Sequence, residues 1–266
     1  MSAEAYDLGE ESARERLERE QIAAAHAQRP TPCFEGRGLT YRHRGGGGVS
    51  ALDIQVGAGE LVALLGPNGA GKSTTFQLLA GLLRPTSGEV YLAQQALGNT
   101  PLWARARAGI FYLPQGESLF SELTVLENIA LACRGSQRAG AKEAAEAALE
   151  LAELNALADR KPHQLSGGER RRVELARAFA ARPKVLLVDE PFAALDPLAV
   201  QRISGLLRRF TLHGMSILLT DHRVGSTLKI CDWVYLLMDG RRFFEGTAAL
   251  VRRSQRAQAS YLGVDS

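Results

Sequence analysis

Cysteine is scarce in this chain of 266 residues: Cys33, Cys133 and Cys231 are odd in number, widely spaced and in no metal-ligand pattern. That argues against a disulfide framework and suits a reducing compartment. Long apolar runs are missing as well; none approaches the ~20 residues that a bilayer-spanning helix needs. The N-terminus is acidic and lacks a signal peptide's apolar segment. A soluble cytoplasmic protein is therefore expected, with any membrane contact made through a partner. Net charge is only +3, which demands neither nucleic acid nor an anionic membrane surface. Lysine is rare, outnumbered about five to one by arginine, a bias read here as compositional. No internal repeat is present. With 45% hydrophobic and 23% charged residues, the length suits one α/β core plus a subdomain.

Against these absences stands one dense motif, Gly66-Pro67-Asn68-Gly69-Ala70-Gly71-Lys72-Ser73-Thr74. It follows the apolar run Leu61–Leu65 and leads into Thr75–Ala80, apolar at helical spacing, so a strand, a glycine loop and a helix come in the order a phosphate cradle needs. Glycines let backbone N–H groups converge on phosphate oxygens, and the helix N-terminus adds partial positive charge. Lys72 is suited to the outer phosphates, and the Ser73 hydroxyl to Mg²⁺.

A second motif, Leu165-Ser166-Gly167-Gly168-Glu169, opens the helical pattern Arg170–Phe179. By itself it would read as a turn and helix cap. Soon after comes Val185–Val188, a buried-strand run ending in the carboxylates Asp189 and Glu190 before Pro191. In this order the three motifs resemble the ATP-binding subunits of ABC transporters. The resemblance implies an α/β fold: a P-loop NTPase core with a mostly parallel sheet, an N-terminal antiparallel β portion and an inserted α-helical subdomain at about 116–165. The cassette would occupy residues 31–266. ATP and Mg²⁺ are the implied ligands, with Asp189, Ser73 and Gln115 at the metal, Glu190 as the base that activates water, and His222 as the switch histidine at the γ-phosphate. Gln115 falls at the family's glutamine loop and Asp196, in Ala194-Leu195-Asp196, at its D-loop. Tyr41 fits either the aromatic that stacks on adenine or a tyrosine packed in a strand. Because P-loop and signature cannot meet within one subunit of that family, two copies are expected head to tail, Ser166–Gly168 and Glu169 of one facing the nucleotide of the other.

Elsewhere the pattern gives a helix to about Leu83, a strand near Glu89–Ala93 and another at Ile110–Leu113. A capping box at Thr124–Glu127 starts a helix toward Ala132, and alanine- and glutamate-rich sequence predicts one over Ala139–Leu157. Strands near Ser216–Thr220 and Trp233–Met238 alternate with helices from Pro197 and His222, and Asp239-Gly240 reads as a hairpin turn. Gly45–Gly48 reads as a flexible hairpin loop rather than a phosphate site, since no helix follows it. Residues 1–30 alternate charges with a thin apolar stripe; a flexible extension is expected there, its removal nearly neutral for folding.

Only 94 positions separate Lys72 from Ser166, too few for a long coiled coil, and there is one nucleotide motif set rather than two. Transport is thus favoured over a soluble, non-transport ABC ATPase. Local wording, from Pro101–Ile110 through Asp189-Glu190-Pro191-Phe192-Ala193 to Tyr261-Leu262-Gly263, is similar to the ATPases of lipopolysaccharide export. Trp103, Phe111 and Ser73 depart from that pattern, which usually has histidine, glycine and threonine there. The alternative is the ATPase of a branched-chain amino acid importer. Membrane permease subunits are the implied partners, engaged through Gly116–Leu123, and attachment would be at the cytoplasmic face of the inner membrane.

Overall fold

Period-two burial along Leu61–Leu65 determines the architecture: Leu61, Ala63 and Leu65 enter one hydrophobic core, Val62 and Leu64 another. A strand buried on both faces needs cover on both. The computed structural model describes residues 13–134 and 141–260. In chain order its elements are α1 (Ala13–Ala27), β1 (Pro32–Arg42), β2 (Gly48–Gly57), β3 (Leu61–Leu65), α2 (Lys72–Ala80), β4 (Ser87–Leu92), β5 (Gln95–Ala96), α3 (Leu102–Ala108), β6 (Ile110–Leu113), α4 (Val125–Arg134) and α5 (Ala141–Leu151). There follow α6 (Gly167–Ala180), β7 (Val185–Asp189), α7 (Pro197–Leu212), β8 (Ser216–Thr220), α8 (Val224–Ile230), β9 (Trp233–Met238), β10 (Arg241–Gly246), α9 (Ala248–Arg253) and α10 (Gln255–Ser260).

Two sheets result. The central one runs β10-β9-β3-β8-β7-β6; β9 through β6 are parallel and β10 joins antiparallel through the Asp239-Gly240 turn. The other, β2-β1-β4-β5, is antiparallel. Helix α2 packs with β1, β2 and β4 residues over one face of the central sheet, while α4 to α8 contribute to the core on the other. Arg105 of α3, 1% exposed, donates to the α2 carbonyls of Leu78 and Leu79, both at 2.8 Å, and so closes that helix's C-terminus. Among the described residues no helix is long and apolar enough to cross a membrane.

Helices α4, α5 and α6 pack on one another. The Thr124 capping box forms as expected: Thr124 N–H donates to Glu127 Oε2 at 2.8 Å and Glu127 N–H to Thr124 Oγ1 at 3.2 Å. Helix α5 stops at Leu151, short of the expected Leu157; the start expected at Ala139 lies outside the described residues. Its end is a left-handed cap at Glu153 (φ 56°), with Glu153 N–H on Glu150 O and Leu154 N–H on Leu149 O, both at 2.9 Å. Leu154 is thereby buried, and Arg209 Nη1 holds the Glu153 carboxylate at 2.9 Å. No glycine marks this stop.

The charged stretch before residue 30 also departs from expectation, with residues 1–12 outside the described part. Residues 13–27 are the helix α1, and its half-buried Glu18, Ile22 and Ala25 recur on one face. Ile22 packs against both cores, and His26 sets its ring edge-on to Trp233 at 5.5 Å. The firmest anchor is charged: Arg29 and Glu60 pair at 2.8 Å with side chains 8% and 3% exposed. Hydrophobic patterning gave no sign of it.

Candidate functional site

The cradle forms where β3 ends and α2 begins. A cavity of about 280 Å³ opens there, lined by Asn68, Gly69, Gly71, Lys72, Ser73 and Thr74, by Asp189 and Glu190 from the end of β7, and by His222 beyond β8. Parallel strands deliver these groups to one edge because their C-terminal ends face the same way. Lys72 is 7% exposed and donates to the carbonyls of Gly66 at 2.7 Å and Pro67 at 3.0 Å. Burial pulls its ammonium below the ordinary lysine range, against the opposing pull of Glu190 and Asp189. Ala70 is buried beneath the loop, and its carbonyl accepts from Gly240 N–H at 3.1 Å.

Glu190 is the meeting point of the chemistry. Its Oε2 accepts from Gln115 Nε2 at 2.5 Å, and its Oε1 lies 2.8 Å from His222 Nε2. Its backbone takes φ 47°, a left-handed conformation unusual for glutamate, while its N–H donates to Thr220 O at 2.8 Å. Strain of this kind, worth ~1–3 kcal/mol, survives where the surroundings fix it. Asp189 is 7% exposed; burial first, then the Glu190 charge, pushes its carboxyl above the usual range, and Tyr112 OH donates to it at 3.3 Å. Burial pushes Tyr112 itself up to about 12, with the Asp189 charge adding to it. Asp221 ties the neighbouring turns, accepting from Phe192 N–H and Arg223 N–H, each at 2.8 Å.

The signature residues collect elsewhere. Ser166 caps α6: Glu169 N–H donates to its Oγ at 3.3 Å, and its own N–H to Glu169 Oε2 at 2.8 Å. Asp196 caps α7 through Ala199 N–H at 2.9 Å. Ser166, Gly168, Glu169 and Asp196 line a small cleft with Arg172 and Arg202. Gly168 is needed there, since a Cβ would stand 2.8 Å from Ala199 Cβ. Gly167 has Leu195 Cδ2 as its nearest prospective neighbour, at 3.7 Å. None of these residues lines the cradle of the same chain.

A buried network runs from the signature helix toward Gln115. Arg171 donates to Asp189 O at 2.9 Å and to Glu174 Oε2 at 2.8 Å. Glu174 Oε1 accepts from Ser118 N–H at 2.8 Å and Ser118 Oγ at 2.9 Å, and Arg177 holds Ser118 through its carbonyl and hydroxyl. Two residues on, Phe120 N–H donates to Asn128 Oδ1 at 2.9 Å and its carbonyl accepts from Asn128 Nδ2 at 3.1 Å, yet the residue is 52% exposed.

Two parts of the β1–β2 hairpin sit differently about this cavity. Tyr41 does not line the cavity; it packs partly against the core with its ring edge-on to His43, centroids 4.9 Å apart. The glycine loop does line it: Gly46, Gly47 and Gly48 form its wall together with His43. The sequence reading missed His43, Asp221, Arg171 and Glu174. For Glu174, its place in the helical pattern directly after the signature was the available signal. His43 and the glycine run carried none without the fold of the hairpin.

Magnesium is tested by the chemistry of the donors. Among the described residues no group of three or more His, Cys, Asp or Glu could hold a metal alone. The Ser73 hydroxyl, Asp189 carboxylate and Gln115 carbonyl are hard oxygen donors, suited to a Mg²⁺ that takes its remaining ligands from phosphates and water.

The family model described as ABC transporter matches residues 49–193. Among curated proteins, the lipopolysaccharide export system ATP-binding protein LptB of Acidithiobacillus ferridurans is 42% identical over 217 residues, 81% of this chain and 90% of that one. LptB of Escherichia coli K12 is 38% identical over 232 residues, 86% and 96% of the two chains. Among solved structures, an ATP-binding cassette of an ABC transporter in its ADP conformation superposes with TM-score 0.78 at 27% identity, covering 88% of this chain and 99% of that one. A dimeric bacterial ABC transporter cassette gives TM-score 0.72 at 29% identity, with 81% and 98% covered.

Proposed function

Since the chain belongs to the ABC transporter family, as an ATP-binding cassette that binds and hydrolyses ATP, we propose that it powers the export of lipopolysaccharide from the inner membrane. The observation that carries the enzymatic part is the Glu190 carboxylate held between Gln115 and His222 at the edge of the cradle. A carboxylate so fixed can orient water toward the γ-phosphate and take its proton. Lys72 would leave its own loop carbonyls for phosphate oxygens, and the P-loop amides would hold the rest. Ser73, Asp189 and Gln115 would hold Mg²⁺, which when bound neutralises charge on the phosphates. The substrate proposal rests on the LptB relatives, 38% and 42% identical.

The separation of the signature cleft from the cradle supports a second copy as partner, the partner's Ser166 facing the nucleotide on Lys72. Closure driven by ATP and release on hydrolysis would then be a population shift toward whichever state binds the nucleotide better. With no membrane-crossing helix among the described residues, attachment to the cytoplasmic face would run through permease subunits. Phe120, exposed on a backbone pinned by Asn128, is suited to seat a short permease helix, with Glu122 beside it.

Purification of the tagged chain from its native membranes in detergent tests the proposal. Polytopic permease subunits are expected to co-purify, and the complex, with ATP, to release lipopolysaccharide from proteoliposomes to an acceptor. Phe120→Ala and Glu122→Lys should lose the permease while the free subunit still hydrolyses ATP. Recovery of an amino acid importer's permease, with no lipopolysaccharide release, would refute the substrate assignment.

A further inference from the structure

Strands β6 and β7 bring one phenol, that of Tyr112, against the cradle from below. Alternation along β7 puts Val185 and Leu187 in the core beneath α2, so Asp189 at the strand's end follows on the same face. Ile110 of β6 enters that core too, and Tyr112, two residues on, packs against it. The parallel register sets Tyr112 beside Leu187 and Leu113 beside Val188. A tyrosine level with Leu187 is long enough to reach two residues further along its face, and its hydroxyl meets Asp189 Oδ2 at 3.3 Å. Phe76 of α2, fully buried, stands against the same ring, with centroids 6.5 Å apart and planes tilted by 53°. Core packing thus fixes the phenol independently of the carboxylate that it touches.

The two oxygens of Asp189 differ. Oδ2 accepts from Tyr112, whereas Oδ1 has no hydrogen-bond partner among the described residues. The backbone on either side is pinned: Asp189 O accepts from Arg171 at 2.9 Å, and Glu190 N–H donates to Thr220 O at 2.8 Å. What remains free is rotation of the carboxylate about its last torsion, which is soft for aspartate. The Tyr112 bond limits that rotation. Asp189 lines the cavity and Tyr112 does not, so the phenol can act on a bound metal only through the carboxylate.

We propose that Tyr112 is a metal-positioning residue: its hydroxyl holds one oxygen of Asp189 so that the other is presented to the Mg²⁺ of a bound nucleotide. This rests on the reading of Ser73, Asp189 and Gln115 as metal ligands. Tyr112→Phe keeps the ring against Phe76 and removes only the donor. Outer hydrogen bonds to metal ligands are typically worth about 10- to 100-fold in metal affinity, and a bond of 3.3 Å belongs at the low end. Tyr112→Phe should therefore bind Mg-ADP about tenfold more weakly than the parent while binding ADP in EDTA equally well. Mn²⁺ titrated into the ADP complexes and followed by electron paramagnetic resonance should show a shift of the same size.

Isothermal titration of ADP into the full chain, with excess Mg²⁺ and separately in EDTA, decides it. Mg-ADP binding by Tyr112→Phe within about threefold of the parent would overturn the proposal. So would an equal loss in EDTA, because the phenol would then only prop the strand ends. Asp189→Asn serves as the reference and should lose more than Tyr112→Phe, again only with Mg²⁺. Parental Mg-ADP binding by Asp189→Asn would refute the metal assignment itself; a loss there beside parental binding by Tyr112→Phe would strike the role of Tyr112 alone.

Discussion

Replacing Arg29 with alanine should cost this protein far more than its place in a charged leader suggests. The guanidinium donates through Nε and Nη2 to the two oxygens of Glu60, at 2.9 and 2.8 Å, through Nη2 to Gln55 O at 2.8 Å and through Nη1 to Tyr235 OH at 2.9 Å. It also lies 4.5 Å over the Trp233 ring. With Arg29 gone, Glu60, 4% exposed, keeps a backbone donor in Gly57 N–H at 2.7 Å but no countercharge. An uncompensated buried charge typically costs about 3–5 kcal/mol. The remaining donor places this case near ~3 kcal/mol, or a fall of roughly 6 °C in Tm for a chain of this size. Circular dichroism melts and urea unfolding of the full chain measure it. Arg29→Met with Glu60→Gln should recover more than half the loss, because no charge is then left buried. Deletion of residues 1–30 should cost at least as much as Arg29→Ala, the reverse of what composition predicts. A Tm drop below about 2 °C, or a double variant no better than the single one, would refute the reasoning.

Glu190→Gln should bind ATP normally but turn it over at least ~100-fold more slowly, because the general base is lost and the cradle is kept; single-turnover assays read this directly, and parental turnover would remove Glu190 from that role. Ser166→Arg should leave nucleotide binding by the monomer intact yet abolish ATP-dependent dimerisation on size-exclusion chromatography, and a normal dimer peak would contradict head-to-tail pairing. Asn128→Ala should destabilise by ~2–3 kcal/mol through unmet hydrogen bonds at a fully buried site; an unchanged melting curve would mean the Phe120 loop holds itself. Tyr112 keeps its proton to about 12 in the fold against 10.0 ordinarily. The folded state therefore binds more protons than the unfolded one between those values, so this contribution to stability is full below pH 10 and declines as pH rises through the window. Urea titrations at stepped pH should give a shallower decline for Tyr112→Phe; equal slopes would discount the burial of that phenol.

Sequence alone determined whatever a short stretch of chain can encode. The P-loop, the Ser166 and Thr124 caps, the Asp239-Gly240 turn and the doubly buried run Leu61–Leu65 each need only residues a few places apart, so backbone preference and periodicity reveal them. Tertiary structure decided the contacts that join distant segments. Gln115 and Glu190 stand 75 residues apart and meet because β6 and β7 run parallel with their ends on one edge. Arg29 finds Tyr235 across 206 positions, anchoring α1 through charge where the apolar stripe is too thin to predict docking. His43 reached the cavity wall, and Tyr41 a packing contact outside it, only through the path of the hairpin across the cradle. Helix α5 ended at a glutamate rather than a glycine because Arg209 and the burial of Leu154 stabilise a left-handed residue that local preference disfavours. Local rules fix which segment takes which shape, but a hydrogen bond between remote side chains depends on how the strands are ordered, and that order is a property of the whole core.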